Sequence, residues 1–443
     1  MSDKPVITRI APSPTGQMHI GTVRTALFNY LFAKQHEGTY FVRIEDTDKE
    51  RNKEEWVDAI WQDFEWCGLT PDKKYRQSEH IERHKELLHS LVDSDKAYIS
   101  EEPKKDDPSQ TVRVIRLRNG GGNVTFTDLV RGEVTVDTTE LGDFVIARSI
   151  DDPLYHFAVV VDDGDAGVTH VLRAEEHISN TPRQILILEA LGFTRPIYAH
   201  LPLILAPDRS KLSKRKHGAS VENYREQGFL PEAMINYLAL LGWNPGGERE
   251  VFSMSELIEL FDIAKVQKGG AVFDIEKFKW FNHEHLKLLS MQEFIDKLSL
   301  FIQTRGDSIP PYLTAIGAEL RNRSQTFGEA ADHIKNSEFS FMEETIPTPS
   351  KELLIQGAKA EAEAVKNNLQ KVVELLGATE AFTSEGVKEA IFPYATEQGR
   401  ASVLWPMRVA LSGKEKSPDP FTLAGLLGKD TTISRIENAA QIL

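Results

Sequence analysis

Two short segments of the sequence carry side chains that could bind and activate a nucleotide. The first, RIAPSPTGQMHIGT (9–22), runs from an apolar strand through a turn rich in proline and glycine into a helix that begins near Ile20. A helix N-terminus offers free N–H groups and a partial positive charge, which suit a phosphate. His19 could donate a hydrogen bond to charge developing on phosphorus, and Gly21 would let an adenine or ribose lie close to the backbone. The alternative is an ordinary turn with a capping histidine.

The second segment, KLSKRKHG (211–218), is a strongly basic loop that follows an apolar strand and a Pro-Asp turn. The cations between residues 209 and 216 are Arg209, Lys211, Lys214, Arg215 and Lys216. Such a loop can close over a triphosphate and neutralise charge as pyrophosphate leaves. The alternative is a solvated surface loop, which is the usual role of a short basic run.

The elements that must position these segments alternate between strands and helices in the first half of the chain. VITRIA (6–11) and TYFVRI (39–44) have the β-branched and aromatic content of strands, and residues 20–36 between them have apolar side chains at helical spacing. Strand, helix and strand at this length predict a parallel βαβ unit. Further helices are predicted at 54–67, 80–91 and 182–191.

Residues 96–155 have a different pattern, with short alternating strands separated by glycine turns, which predicts a small antiparallel subdomain inserted between two parallel units. Apolar strands are predicted to return at HFAVVV (156–161), THVLRA (169–174) and YAHLPLILA (198–206). From about residue 223 the pattern predicts helices only. The expected fold is therefore α/β: a Rossmann-like parallel sheet with an inserted small α+β subdomain, followed by an all-α C-terminal half.

Composition limits the classes of protein to which the chain can belong. Its 443 residues are too many for one compact core. No apolar run approaches the roughly 20 residues of a membrane span, and the single cysteine, Cys67, excludes an internal disulfide. A cytoplasmic protein without membrane contact is expected. The net charge of -15 argues against a nucleic-acid partner, but residues 200–290 hold 12 basic and 12 acidic side chains, so local basic surfaces remain available.

The two segments, in this order, resemble the paired signature sequences of class I aminoacyl-tRNA synthetases. Longer stretches are similar to glutamyl-tRNA synthetase, namely APSPTGQMHIGTVRTALFNYLFA (11–33), FVRIEDTDKER (41–51), THVLRAEEHISNTPRQI (169–185), AHLPLILAPDRSKLSKRKHG (199–218) and AVFDIEKFKWFN (271–282). The similarity covers most of residues 5–290 and resumes near the C-terminus. It implies an enzyme that activates glutamate with ATP and transfers it to the 3′ end of tRNA(Glu).

The resemblance implies a set of site residues, each by its position in a matching stretch. The catalytic residues would be His19, Lys211 and Lys214. The glutamate site would comprise Arg9, Ala11, Ser13, Glu45, Tyr155 and Arg173. The ATP site would comprise His19, Gly21, Glu176, His177, Lys211, Ser213 and Lys214.

The residue types in the glutamate site agree with that assignment. Two arginines and one acid complement the two carboxylates and one ammonium of glutamate. Arg9 is expected to contact the side-chain carboxylate and Arg173 the α-carboxylate, with the reverse assignment left open. Glu45 is expected to hold the ammonium. The alternative for Glu45, with Asp46 and Asp48, is an acidic turn or a metal cluster.

The resemblance also implies the domains and the partners. The catalytic domain would comprise residues 1–95 and 156–222, interrupted by a shortened acceptor-end-binding subdomain at 96–155 and followed by a helical stem-contact domain (223–300) and an anticodon-binding domain (301–443). Substrates would be L-glutamate, tRNA(Glu) and ATP with Mg²⁺, and a monomer is expected. No resident metal is expected, and no zinc, because the chain reads AYISEEP where many relatives place zinc-binding cysteines.

The anticodon reader is expected in LRNRSQTF (320–327), where Arg321 and Arg323 lie close together. An arginine there would disfavour the wrong third anticodon base by its size and its donors; the alternative is a pair of solvated helix residues. Two other functions stay open, namely an enzyme that also charges tRNA(Gln) and a catalytically inactive RNA-binding paralogue. A shorter paralogue that glutamylates a modified tRNA base is disfavoured, because about 140 residues follow the catalytic part, which is enough for a further domain.

Overall fold

The computed structural model describes residues 5–47, 51–104, 107–213, 216, 218–343, 345–346 and 348–443. The chain divides into two compact units, Met1–His285 and Leu286–Leu443. Among the described residues, no helix is long and apolar enough to cross a membrane.

The described strands are β1 (Ile7–Ile10), β2 (Thr39–Ile44), β3 (Lys73–Arg76), β4 (Ala97–Lys104), β5 (Asp107–Leu117), β6 (Asn123–Asp128), β7 (Gly132–Asp137), β8 (Phe144–Ser149), β9 (Asp152–Pro153), β10 (His170–Ala174), β11 (Ile197–Leu201), β12 (Ile204–Leu205) and β13 (Ala271–Val272). The described helices of the N-terminal unit are α1 (Ile20–Gln35), α2 (Glu54–Trp66), α3 (Ile81–Asp93), α4 (Tyr155–Asp165), α5 (Thr181–Leu191), α6 (Val221–Glu226), α7 (Pro231–Leu240), α8 (Met254–Leu260) and α9 (Ile275–Leu288), whose last residues belong to the second unit.

A parallel sheet forms the centre of the N-terminal unit. β1 pairs with β2, β2 with β3, and β10 with β11, all in parallel. The backbone N–H of Thr169 donates to the carbonyl of Ile7 at 3.1 Å, which joins the start of β10 to β1. The hydrogen-bonded groups β3-β2-β1 and β10-β11 thus lie side by side, with β10 next to β1, and the strand order reverses between these two strands. In such doubly wound sheets ligands bind at the carboxyl ends of the strands beside that reversal. The predicted Rossmann-like sheet is confirmed.

The apolar run HFAVVV is helical, so the prediction of a strand at 156–161 was wrong. It lies in α4, and Phe157 to Val161 are all at most 4% exposed. A helix that is buried on all sides has no apolar periodicity, and a short continuous apolar run cannot be assigned to a strand or a helix from its pattern. The correction matters for the site, because α4 begins with Tyr155 and brings Asp163 beside β1.

The inserted segment is antiparallel, as predicted, but its strands belong to two sheets. β4, β5, β8 and β9 form one antiparallel sheet. The β6–β7 hairpin instead extends the parallel sheet, because Asp128 at the end of β6 pairs in parallel with Tyr198 of β11. Alternation along β6 predicts one buried face, but it does not identify the sheet that the strand joins.

The prediction of helices only after residue 223 needs one correction, since Ala271 and Val272 of β13 pair with β12. Two residues are too short to produce a strand pattern. The C-terminal unit is helical as predicted. Its described helices are α10 (Met291–Thr304), α11 (Leu313–Arg323), α12 (Phe327–Lys335), α13 (Lys351–Gln356), α14 (Ala362–Gly377), α15 (Ser384–Gln398), α16 (Arg400–Ser412), α17 (Pro420–Leu427) and α18 (Lys429–Ile442).

Candidate active site

A cavity of about 510 Å³ opens at the carboxyl ends of β1, β10 and β11. The structure places every described residue of the predicted catalytic, glutamate and ATP sites on its wall. These residues are Arg9, Ala11, Ser13, His19, Gly21, Glu45, Tyr155, Arg173, Glu176, His177, Lys211 and Ser213. Lys214 lies outside the described residues. Residues from six separate stretches of the sequence therefore meet around one space.

The N-terminus of α1 is held by a histidine cap. His19 has extended backbone angles, and its Nδ1 accepts a hydrogen bond from the Gly21 N–H at 2.9 Å. A Cβ on Gly21 would lie 2.9 Å from that nitrogen, so the glycine makes room for the imidazole. The capping alternative is thus observed, and the same histidine lines the cavity. The cap accounts for the glycine at this position, and the close approach of a nucleotide stays a prediction.

The stretch that follows the basic loop is anchored beside this helix. The N–H of Ile20 donates to the carbonyl of Ala219 at 3.1 Å, and the N–H of Val221 donates to the carbonyl of Met18 at 3.1 Å. Lys211, at the start of the loop, forms an ion pair with Glu176. Both partners are largely exposed, so the lysine can leave this pair at little cost. The two signature segments therefore meet at one end of the cavity.

Arg9 is held by the carboxylate of Asp163. Its Nε lies 3.2 Å from both oxygens of Asp163, and its Nη2 lies 2.9 Å from Oδ2, which is a two-pronged ion pair. Arg43, whose side chain is fully buried, binds the same aspartate at 2.6 Å and Glu45 at 3.1 Å. Burial opposes the charge of Asp163, but Arg9 and Arg43 lower its pKa to about 2. Arg43 also lies 3.6 Å from the carboxylate of Asp162, so three acids offset the charges of the two arginines on this side.

Glu45 lines the cavity from the end of β2. Its side chain is only 9% exposed, and burial raises its pKa above the ordinary value although Arg43 opposes that change. A carboxylate whose charged form is destabilised by burial gains from any cation that enters the cavity. This is the property required of a group that binds an ammonium.

Arg173 is held by neutral groups. Its Nε donates to His200 Nε2 at 3.2 Å, its Nη1 to the Gln184 side-chain oxygen at 2.7 Å, and its Nη2 to the Thr181 hydroxyl at 2.9 Å. Within the described part of the chain no carboxylate contacts this arginine, which is 6% exposed. Burial lowers its pKa below the ordinary value. A buried cation without an anionic partner favours a ligand carboxylate.

Tyr155 and His177 complete the wall beside Arg173. Tyr155 is 42% exposed and lies at the rim, with its ring 6.3 Å from that of His177. Burial, followed by the charge of Arg173, lowers the pKa of His177 to about 4. His177 is therefore neutral near pH 7 and adds no positive charge to this side.

Sequence reasoning missed three further groups. Arg24 also lines the cavity, is 3% exposed, and donates to the backbone carbonyls of Leu241, at 3.0 Å, and Pro202. Asp163 was not among the predicted site residues, yet it orients Arg9. Asp128 and His200 were not singled out, although they lie behind Arg173. The only available signal was a polar or charged side chain inside an apolar stretch, as in HFAVVVDD and YAHLPL.

The two candidate anticodon residues differ in their surroundings. Arg321 donates to the Leu289 carbonyl at 2.9 Å, so it fixes local structure. The Arg323 side chain is 36% exposed and contacts Glu338 at 2.9 Å. Of the two, Arg323 is the more exposed residue. The described residues hold no group of three histidine, cysteine or acidic side chains arranged for a metal ion.

Two family models match consecutive parts of the chain. Residues 5–107 and 99–280 match the family described as tRNA synthetases class I (E and Q), catalytic domain, and residues 290–440 match an anticodon binding domain. The glutamate–tRNA ligase of Carboxydothermus hydrogenoformans is 38% identical to this chain, with 98% of this chain and 99% of the relative covered. That of Geobacter sulfurreducens is also 38% identical, with 100% of both covered.

The chain belongs to the glutamate–tRNA ligase family.

Solved structures agree with this assignment. A crystal structure of a glutamate tRNA ligase from Elizabethkingia meningosepticum, in complex with its amino acid, has a TM-score of 0.84 and 31% identity, covering 99% of this chain and 100% of that one. Glutamate-tRNA synthetase from Elizabethkingia anophelis has a TM-score of 0.82 and 30% identity. Membership of the glutamate–tRNA ligase family confirms the predicted enzyme class and fold class, and the inactive paralogue finds no support.

Proposed function

We propose that the cavity binds L-glutamate and ATP together and that the enzyme joins glutamate to the 3′ end of tRNA(Glu). The observation that carries this proposal is the convergence of Arg9, Arg173 and Glu45 on one cavity. Two cations and one anion complement the two carboxylates and one ammonium of glutamate. Glutamine, which lacks the second carboxylate, would leave the N–H groups of one arginine that face the cavity without an anionic acceptor.

Each side chain takes the role that its surroundings support. Arg9 contacts the side-chain carboxylate of glutamate through N–H groups that Asp163 does not occupy. Arg173 contacts the α-carboxylate, and Glu45 binds the ammonium, which favours the charged form of this buried acid. Ala11, Ser13 and Tyr155 form the remaining walls of the glutamate site.

ATP lies against the N-terminus of α1, with Gly21, Glu176, His177 and Ser213 around it. Mg²⁺ arrives with ATP as part of the substrate. An α-carboxylate oxygen attacks the α-phosphate, a new O–P bond forms, and the bond to pyrophosphate breaks. His19, Lys211 and Lys214 stabilise the negative charge on the phosphates during this step. A terminal ribose hydroxyl of the tRNA then attacks the carbonyl carbon, and AMP leaves.

The C-terminal helical unit reads the tRNA, and its selectivity is the finer part of the proposal. An exposed Arg323 favours tRNA(Glu) over tRNA(Gln), because its bulk and donors disfavour the wrong third anticodon base. We expect the enzyme to act as a monomer. The alternative is an enzyme that charges both tRNAs.

Charging of purified tRNA(Glu) and tRNA(Gln) with labelled glutamate tests these points. The parent is expected to charge tRNA(Glu) and to leave tRNA(Gln) nearly uncharged. Lys211→Ala should slow charging about 10²-fold through loss of a transition-state contact. The control Lys85→Ala should not, because this lysine on α3 pairs with Glu82 and Asp151 and does not line the cavity. Arg323→Gln should raise the relative charging of tRNA(Gln), with Arg305→Gln as the matched surface control. No charging by the parent would refute the proposed function, and equal charging of both tRNAs would refute the selectivity.

A further inference from the structure

Arg173 is backed by two buried residues that do not touch the cavity. His200, fully buried at the end of β11, accepts the Arg173 Nε–H at 3.2 Å through its Nε2. On the other side of the ring, Nδ1 lies 2.5 Å from the Asp128 carboxylate. Asp128, His200 and Arg173 therefore form a continuous hydrogen-bonded chain that ends at the cavity.

The carboxylate decides which nitrogen of His200 carries the proton. An ionised carboxylate can only accept hydrogen bonds, so Nδ1 is the protonated nitrogen and Nε2 has the free lone pair. Arginine can only donate, so it requires that lone pair. Asp128 is ionised, because hydrogen bonds from His200 and from the Arg131 and Val130 backbone N–H groups lower its pKa in spite of burial.

Asp128 is itself fixed by the backbone around it. One oxygen accepts the N–H groups of Val130 at 2.9 Å and Arg131 at 2.8 Å, in the turn between β6 and β7. The backbone N–H of His200 lies 3.1 Å from the other oxygen. The carboxylate therefore has little freedom to rotate, and it joins the inserted hairpin to the catalytic sheet at the position where Arg173 needs support.

Asp128 and His200 orient Arg173 without neutralising its charge. His200, Gln184 and Thr181 are neutral acceptors, and the negative charge of Asp128 is separated from the guanidinium by the imidazole ring. A carboxylate in direct contact would compete with the ligand for the same N–H groups. With this arrangement the guanidinium is held in place while its charge and its remaining N–H groups stay available to a substrate anion.

We propose that Asp128 and His200 are positioning residues that aim Arg173 at a carboxylate of the amino-acid substrate. The inference rests on the proposed glutamate site and assigns a role in substrate binding to the inserted β6–β7 hairpin. It predicts that breaking the hydrogen bonds between Asp128, His200 and Arg173 weakens glutamate binding and leaves ATP binding unchanged.

Asp128→Asn is the first test, because it keeps the size of the side chain and removes its exclusive acceptor character. The amide can donate to Nδ1, which moves the imidazole proton to Nε2, where it opposes the Arg173 N–H. The KM for glutamate in tRNA(Glu) charging should rise about 10- to 100-fold, with the KM for ATP within about twofold. Asp137→Asn, on the exposed partner strand β7, is the matched control and should leave both values unchanged.

His200→Gln and His200→Leu form the second test. The glutamine side-chain oxygen can accept from Arg173, so His200→Gln should keep the KM for glutamate within about fivefold of the parent. Leucine has no acceptor and should raise that KM at least tenfold more than glutamine does. This difference separates an acceptor for Arg173 from a residue that only fills space, and it decides the matter if Asp128→Asn does not fold.

Calorimetric titration of glutamate into the enzyme with tRNA(Glu) and without ATP makes the result independent of the chemical step. The expected result is a weaker Kd for glutamate in Asp128→Asn and His200→Leu only. Parent-like glutamate binding in both variants, or an equal loss of ATP binding, would overturn the inference. A parent that binds glutamate but charges no tRNA would instead refute the proposed function. The Kd values for glutamate of the variants, relative to the parent, would still decide the role of Asp128.

Discussion

Arg9 and Arg173 line the same cavity but are surrounded by groups of opposite kinds. Arg9 is held by the carboxylate of Asp163, which also binds Arg43, and Glu45 and Asp162 pair with Arg43 as well, so acids offset the positive charges on that side. Arg173 is held by His200, Gln184 and Thr181, none of which carries a charge near pH 7. Two arginines proposed for the same substrate thus differ in how much positive charge they offer.

The difference indicates which arginine contributes to the stability of the fold and which contributes to the affinity for the ligand. On the Arg9 side, buried opposite charges stabilise each other, and a ligand must share the guanidinium with Asp163. On the Arg173 side, burial lowers the pKa of the arginine, so the empty site holds its charge at a cost in folding free energy. Binding of a carboxylate offsets that cost. We therefore expect Arg173 to contribute more to affinity and Arg9 to contribute more to stability.

The largest effect is expected from Arg173→Met. Loss of an uncompensated buried cation should lower kcat/KM for glutamate about 10³-fold, equivalent to about 4 kcal/mol. The thermal unfolding midpoint should stay the same or rise, because no carboxylate contacts this arginine in the described structure and none loses its partner. A marked fall in the unfolding midpoint together with a small change in kcat/KM would mean that Arg173 contributes to stability rather than to affinity.

Arg9→Met should have a smaller kinetic effect and a larger effect on stability. We expect kcat/KM for glutamate to fall about 10²-fold, and discrimination against glutamine to weaken. Asp163 keeps Arg43 but loses its two-pronged partner, which should reduce the free energy of unfolding by about 1–3 kcal/mol. Unfolding and charging assays on the same preparations measure both quantities. A variant that rejects glutamine as well as the parent does would remove Arg9 as the reader of the side chain.

The smallest effect concerns pH. The pKa of Asp163 is lowered to about 2 in the folded protein, so its contribution to stability is complete above its ordinary value near 4 and is lost as the pH falls towards 2. The pKa difference corresponds to about 2 kcal/mol. Chemical unfolding between pH 5 and 2.5 should show a weaker pH dependence in Asp163→Asn than in the parent. Identical slopes would mean that Asp163 is not held by the arginines.

The sequence predicted the cavity better than it predicted the supports behind it. Residues 20–36 were expected to form the helix that the structure has at Ile20–Gln35, because its spacing and its glycine stop are local signals. The wall residues came from stretches that match a known family. Their roles, and the domain boundaries, stay predictions.

The supports could not be predicted for physical reasons. The Arg9–Asp163 pair spans 154 residues and the Asp128–His200 pair spans 72, and no local pattern reports which distant elements meet. α4 carries Asp163 inside an apolar run that has no periodicity, so even its secondary structure was misassigned. Buried charges in apolar stretches were visible in the sequence, but their partners were not.

The most direct test of the account compares two amides of glutamate as inhibitors of tRNA(Glu) charging. Glutamine replaces the side-chain carboxylate, and isoglutamine replaces the α-carboxylate. Neither amide should inhibit charging by the parent. Arg9→Met should lose its preference for glutamate over glutamine while it still rejects isoglutamine, and Arg173→Met should do the reverse. If one variant loses both preferences while the other keeps both, or if the pattern is exchanged between the two arginines, the assignment of one carboxylate to each arginine is contradicted.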